Sequence, residues 1–255
     1  MPAEIQQAVT TRVSPVVMTR GLKQTKDGTF GRITIEAALS LSENATVVAF
    51  GPVIGQNEEV AAFVREFVIR CPVPLVLDAD ALTFLSQEPS RGALVIKAPK
   101  SSVLNSKLST IWTPHPAEMG RLLGTGTKSV QQDRLASVKL AAVTYDCIVL
   151  LKGARSWVAS SDGTVYLNQT GNLGLSTGGS GDALTGLIAG LLGQSLGPLQ
   201  AAFVGAYLHG LVGDLVEIEY GGSTGKIATD LISSLLKSIS RCQNLAANCF
   251  NFYPD

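Results

Sequence analysis

The strongest constraint on this chain is a repeated change of hydrophobic period. Short apolar, β-branched runs stop at turn residues, and segments with helical spacing follow them. Thr46 to Phe50 is one such run and stops at Gly51-Pro52. Glu58 to Arg70 then carries apolar residues at helical intervals. Val73 to Leu77 reads as a buried strand running into Asp78 and Asp80. Ser109 to Trp112 is another strand, closed by Thr113-Pro114-His115-Pro116. Glu118 to Leu123 and Val130 to Tyr145 read as helices, and Cys147 to Lys152 as strand again. Trp157 to Ala159 and Val165 to Leu167 form a hairpin across Ser161-Asp162-Gly163. Ala183, Leu184, Leu187, Ile188, Leu191 and Leu192 then make one apolar helical stripe. Ala201 to Glu219 and Ile227 to Ile239 complete the helices. This alternation predicts an α/β fold with a mostly parallel central sheet and helices on both faces. No repeat or linker divides the chain, so one domain over residues 1–255 is expected.

Composition narrows the function classes. Apolar residues make up 45% and charged residues 16% of 255, enough for a large core. The formal net charge is zero, so no basic field exists to hold a nucleic-acid backbone. An anionic ligand must be held by local devices such as helix ends. Cys71, Cys147, Cys242 and Cys249 show no framework spacing and read as inert thiols in a reducing compartment. The first residues lack a secretory pattern, and no run reads as a membrane span. A cytoplasmic protein is expected.

In open parallel sheets, ligands bind beyond the carboxyl ends of the strands. The unusual residues lie there: Gly51-Pro52, Asp78 and Asp80, His115, Lys152-Gly153, and the loop from Thr177 through Gly178, Gly179, Ser180 and Gly181 to Asp182. That loop is the sharpest signal. Its glycines let backbone approach a ligand, and it opens a helix whose free N–H groups favour an anion. A carboxylate at its mouth can accept the proton of an attacking hydroxyl. The competing reading makes Asp182 a helix cap. Lys152, Gly153, Ala154, Arg155 and Ser156 form a second phosphate-binding candidate. His115, fixed between prolines, reads as a ligand contact or as a cap on the next helix. His209, on an apolar helix face, reads as a core histidine. Asp78 and Asp80 can order a loop, cap a helix or hold a cation through water. Their relative directions stay open because the strand ends there.

Together these segments resemble the ADP/ATP-dependent NAD(P)H-hydrate dehydratases of the ribokinase-like superfamily. The resemblance rests on GPVIG at Gly51, VLDADAL at Val76, TPHPAE at Thr113, LKGARS at Leu151, TGNLGLSTGGSGDALTGLIAGLLGQ at Thr170 and AYLHGLVGD at Ala206, and runs from about Val16 to Leu236. It implies that Asp182 is the catalytic base. It implies that Lys152 to Ser156, Asn172 and Thr177 to Gly181 hold the adenine nucleotide. Gly55, His115, Glu118 and Asp182 would contact hydrated NADH or NADPH. The implied co-substrate is ADP (or ATP) with Mg²⁺, though no protein metal ligand is assigned. A homo-oligomer and a functional link to a separate NAD(P)H-hydrate epimerase are implied as well. A small-molecule kinase and a non-catalytic nucleotide-binding protein are the alternatives. The chain departs from the family pattern at Val53, where glycine is usual and a side chain would crowd the hydrate pocket. Leu173, Leu175 and Ala117 are smaller departures. Residues 1–14 do not match the strand and helix with which members begin, so that part is expected to be missing.

Overall fold

In the computed structural model the described residues are 1–87, 110–222, 225 and 227–250, with side chains to residue 242 in the last helix. Ser109 and the side chain of Cys249 lie outside them. Among the described residues six strands form one sheet in sequence order: β1 (Val48–Phe50), β2 (Leu75–Leu77), β3 (Thr110–Trp112), β4 (Ile148–Leu151), β5 (Trp157–Ala159) and β6 (Val165–Leu167). β1 to β4 run parallel, with Ala49 opposite Val76 and Val76 opposite Ile111. β5 and β6 are antiparallel and close the hairpin.

The strands alternate between two cores, as the period of two demands. Leu75, Leu77, Trp112, Val149 and Leu151 face α2 (Ile35–Ser42), α3 (Glu58–Arg70), α4 (Asp80–Ser86), α5 (Pro116–Leu123), α6 (Thr127–Gln132) and α7 (Arg134–Tyr145). Val76, Ile111, Ile148, Leu150 and Val158 face α8 (Ser180–Gly193) and α9 (Pro198–Tyr220). The last helix, α10 (Ala228–Phe250), packs on α9 and α8, and a short α1 (Gln6–Thr10) precedes them all. The predicted stripe of α8 splits. Leu184, Ile188 and Leu192 are buried on the sheet, each worth roughly 2 kcal/mol. Ala183 and Leu187 turn toward α9 and α10. This anchorage fixes the start of α8 relative to the strand ends.

Helix boundaries follow their caps. Asn57 accepts the Val60 N–H at 2.9 Å, and Glu58, Glu59 and Arg70 suit the helix dipole of α3. The single helix expected over Val130 to Tyr145 is broken. Asp133 ends α6, and its carboxylate accepts the Ala136 N–H at 2.8 Å to start α7. A buried apolar period spans both pieces, which is why periodicity alone joined them. The expectation that no run reaches span length also needs correction. Among the described residues α9 alone is long and apolar enough to cross a bilayer by length and composition. Half of its most apolar window is buried within the protein, because the sheet, α8 and α10 all pack on it.

Candidate functional site

The carboxyl ends of β2, β3 and β4 converge with the start of α8. Asp78, immediately after β2, is 1% exposed. Its Oδ1 accepts from Lys152 Nζ at 2.6 Å and from the Ala79 N–H at 2.9 Å, and its Oδ2 accepts from Thr185 Oγ1 on α8 at 2.8 Å. Glu118 Oε2 lies 4.0 Å from the same ammonium. A Cβ on Gly181 would sit 3.4 Å from Lys152 Nζ and 3.8 Å from Asp78 Oδ2, so the first turn of α8 faces this ion pair.

The glycine loop has the geometry of an anion site. Gly179 takes φ +81°, the left-handed region that favours glycine, and N-caps α8. The Ser180 N–H turns back to Thr177 O and the Ala183 N–H to Gly179 O. The N–H groups of Gly181 and Asp182 have no backbone acceptor among the described residues and point out of the helix start. Gly178, Gly179 and Asp182 are exposed. Asp182 does not cap the helix, since no side-chain cap bond is made there.

Of the two roles raised for it, His115 takes that of cap on α5. Its Nδ1 accepts the N–H groups of Ala117 and Glu118 at 3.1 and 3.2 Å, while Glu118 Oε2 accepts the His115 N–H at 2.8 Å. This capping box leaves the ring proton on Nε2, 3.3 Å from Glu118 Oε1. Burial pushes the imidazole below its ordinary pKa, against the attraction of Glu118. The remaining ring edge is exposed at the strand end.

The turn from Lys152 to Ser156 is shaped by Gly153 at φ +143° and Arg155 at φ +57°. Ala154 and Arg155 are exposed, and Ser156 donates to Gly153 O at 3.2 Å. Arg134 Nη2 donates to the carbonyls of Leu151 and Lys152 at 3.3 and 3.2 Å. Asn172 Oδ1 accepts the Gly174 N–H at 2.8 Å and its amide donates to Asp214 Oδ1, whose Oδ2 accepts the Gly171 N–H at 2.9 Å. Behind the hairpin, Val158, Tyr166, Gln169, Phe203, Ala206 and Tyr207 line a cavity of about 330 Å³, with Tyr166 stacked on Phe203.

Sequence reasoning passed over Thr185, Arg134 and Asp214, and set His209 aside. The available signal for Asp214 and Thr185 was a polar side chain within an apolar helix, which needs a buried partner. Nothing marked Arg134. His209 Nε2 meets Ser180 Oγ at 3.2 Å, so from a half-buried position it braces the glycine loop. Burial lowers its pKa to about 4. It is neutral when folded and protonates near 6.5 when unfolded, so its contribution is complete above pH 6.5 and is lost as pH falls toward 4. Urea unfolding at pH 7 and pH 4 should therefore show a loss larger in the wild type than in His209→Gln by on the order of 3 kcal/mol.

Gly55 closes the turn after β1. Asp80 Oδ2 accepts its N–H at 3.3 Å, and Oδ1 accepts from Gln56 Nε2 at 3.1 Å. In that turn Val53 sits at φ +53° and is 90% exposed. A β-branched residue there is strained by about 1–2 kcal/mol and buries nothing in return. Val53→Gly should raise unfolding stability by about 1 kcal/mol, read as a higher urea midpoint at unchanged m.

The matches to known proteins agree with this geometry. A family described as NAD(P)H-hydrate dehydratase matches residues 3–237, beginning ahead of Val16, where the motif resemblance starts. The chain is 40% identical over 224 residues to a bifunctional NAD(P)H-hydrate repair enzyme of Moorella thermoacetica, covering 86% of this chain and 39% of that one. It is 38% identical over 208 residues to an ADP-dependent (S)-NAD(P)H-hydrate dehydratase of Neisseria meningitidis, covering 79% and 66%. The chain thus spans about two-fifths to two-thirds of the length of these relatives. The solved ADP/ATP-dependent NAD(P)H-hydrate dehydratase of Bacillus subtilis superposes with a TM-score of 0.64 at 30% identity, covering 80% and 71%. A solved ribokinase-like superfamily protein of Enterococcus faecalis superposes with a TM-score of 0.64 at 26% identity, covering 81% and 66%, so the expected ribokinase-like fold is present. A sheet whose strand ends, glycine loop and buried Asp78–Lys152 pair meet at one edge, matched over nearly its whole length, places this chain in the NAD(P)H-hydrate dehydratase family.

Proposed function

We propose that this chain is the nucleotide-dependent dehydratase that returns hydrated NADH and NADPH, (S)-NADHX and NADPHX, to their reduced forms. The observation that carries the reading is the start of α8. Two outward N–H groups lie beside the Asp78–Lys152 pair, and the exposed carboxylate of Asp182 follows directly. That is a cradle for a phosphoryl group with a base at its mouth.

In this reading the amides of Gly181 and Asp182 hold the terminal phosphoryl group of ADP. Lys152 offsets its charge, and Gly153 to Ser156 with Thr177 to Ser180 hold the rest of the nucleotide. The cavity behind the hairpin adjoins Ser156 through the Asn168 N–H, which donates to Ser156 O at 2.8 Å, and suits the base. Gly55, His115, Glu118 and Asp182 line the hydrate. Asp182 takes the proton from the ring hydroxyl, whose oxygen attacks phosphorus, and the bond to AMP breaks. Phosphate then departs from the ring carbon, the adjacent carbon gives up a proton, and the ring double bond reforms. Phosphorylation converts hydroxide, a poor leaving group, into phosphate, a good one.

ADP is favoured as donor because the Neisseria relative is ADP-dependent. The Bacillus structure was co-crystallised with ATP and Mg²⁺. Among the described residues no three His, Cys, Asp or Glu side chains are placed to hold a metal ion together, and the oxygens of Asp78 are taken by protein donors. These residues fit a Mg²⁺ ion carried on nucleotide phosphates, where it would neutralise their charge, better than a protein cage. Exposed Ile218, Tyr220, Ile232 and Leu236 on α9 and α10 suit a subunit interface, in keeping with a homo-oligomer. The substrate class fits a cytoplasmic enzyme working after an epimerase carried on another chain or segment.

The test gives the purified protein hydrated NADPH with ADP. Reduced-nicotinamide absorbance should return with equal release of AMP and phosphate. A stable phosphorylated product would instead mark a small-molecule kinase, and ADP binding without turnover a non-catalytic protein.

A further inference from the structure

Asp78 and Asp80 reach different parts of the site with their carboxylates, although two residues apart on a continuing strand they would share a face. The cause is Ala79, which takes φ +51° and ψ −122° between them. A non-glycine residue rarely adopts that conformation, and surrounding contacts must hold it there. Asp78 supplies one by accepting the Ala79 N–H, and the Ala79 carbonyl accepts the Thr83 N–H at 3.1 Å. A Cβ on Gly51 would overlap the Asp78 carbonyl oxygen, so the end of β1 presses directly on the same turn. One carboxylate then reaches Lys152 and Thr185, beside the glycine loop. The other reaches Gly55 and Gln56 in the turn after β1.

We infer that Asp78-Ala79-Asp80 is a two-sided positioning device that sets the phosphoryl-donor half of the site against the acceptor half. Asp78 positions through Lys152 and α8, and Asp80 positions through the Gly55 turn. Neither is a catalytic residue. The assignment of the two halves rests on the proposed dehydratase reading, whereas the mechanical linkage rests on the hydrogen bonds alone. The arrangement suits group transfer, where an error of about 1 Å between reacting atoms costs about 100-fold in rate.

Two variants separate the sides. Asp78→Asn keeps the shape and lets Thr185 Oγ1 accept, but removes the charge that fixes Lys152. Asp80→Ala removes the acceptor of Gly55 and Gln56. Asp78→Asn should weaken ADP binding about tenfold or more, the effect of losing a charged hydrogen bond, and lower kcat with KM for the hydrate nearly constant. Asp80→Ala should raise that KM by a similar factor and leave ADP affinity intact. Hydrogen exchange provides a readout independent of activity. Asp80→Ala should speed exchange at the Gly55 amide and leave Ser180 and residues 183–186 protected, and Asp78→Asn the converse. Loosening of both segments by either variant, or of neither, overturns the inference. If the wild type binds ADP yet ignores the hydrate, the dehydratase reading fails, while the exchange pattern still decides the linkage.

Discussion

Asp182→Asn is expected to lower kcat by about 10³-fold or more while leaving ADP affinity within about threefold. Asparagine matches the carboxylate in shape but cannot take the hydroxyl proton. Asp182 is exposed and has no side-chain partner among the described residues, so no packing is disturbed. It does lie in the first turn of α8, where a negative charge favours the helix dipole. The variant should therefore lose less than about 1 kcal/mol of stability. Loss of a negative charge beside the phosphates can only favour ADP. Steady-state kinetics with a calorimetric ADP titration separates the two effects. Turnover at the wild-type rate would remove Asp182 from the role of base.

Lys152→Met should be the most damaging single change to the site, for a different reason. Lys152 is the partner of a carboxylate that is 1% exposed. Removing one member of a buried pair leaves the other uncompensated and typically costs about 3–5 kcal/mol. The Ala79 N–H and Thr185 Oγ1 would still serve Asp78, which places the loss toward the lower end of that range. ADP binding should fall as well, because the cation beside the first turn of α8 is gone. The double variant Asp78→Asn, Lys152→Met should recover most of the stability and none of the nucleotide affinity. Chemical unfolding across this cycle gives the coupling directly. Equal destabilisation of the single and double variants would show that the pair is not the source.

Much of this was legible in the sequence. The parallel sheet followed from short apolar runs closed by glycine, aspartate or histidine. α3 runs from Glu58 to Arg70 as its helical spacing of apolar residues predicts, with the Asn57 cap at its start. The site edge was legible because residues out of place in a core, such as Asp78, His115 and Lys152, all fell at strand ends. What stayed hidden depends on contacts distant in sequence. The Asp78–Lys152 and Asp78–Thr185 bonds join residues 74 and 107 positions apart. The directions of Asp78 and Asp80 depend on one backbone angle at Ala79, an alanine with no turn signature. The break at Asp133 was hidden because apolar residues continue in phase across it. The role of His209 stays hidden because an apolar helix face gives no sign of its polar contact to Ser180.

The claim on which the account stands is that the amides opening α8 hold the phosphoryl group in transfer and that Asp182 faces it. A crystal structure with ADP and hydrated NADPH bound to Asp182→Asn tests this most directly. The account predicts the terminal phosphate within about 3 Å of the Gly181 and residue 182 amides, with the side chain at 182 turned toward the ring hydroxyl. Phosphates seated away from that helix start, or a side chain at 182 directed into solvent, would contradict it.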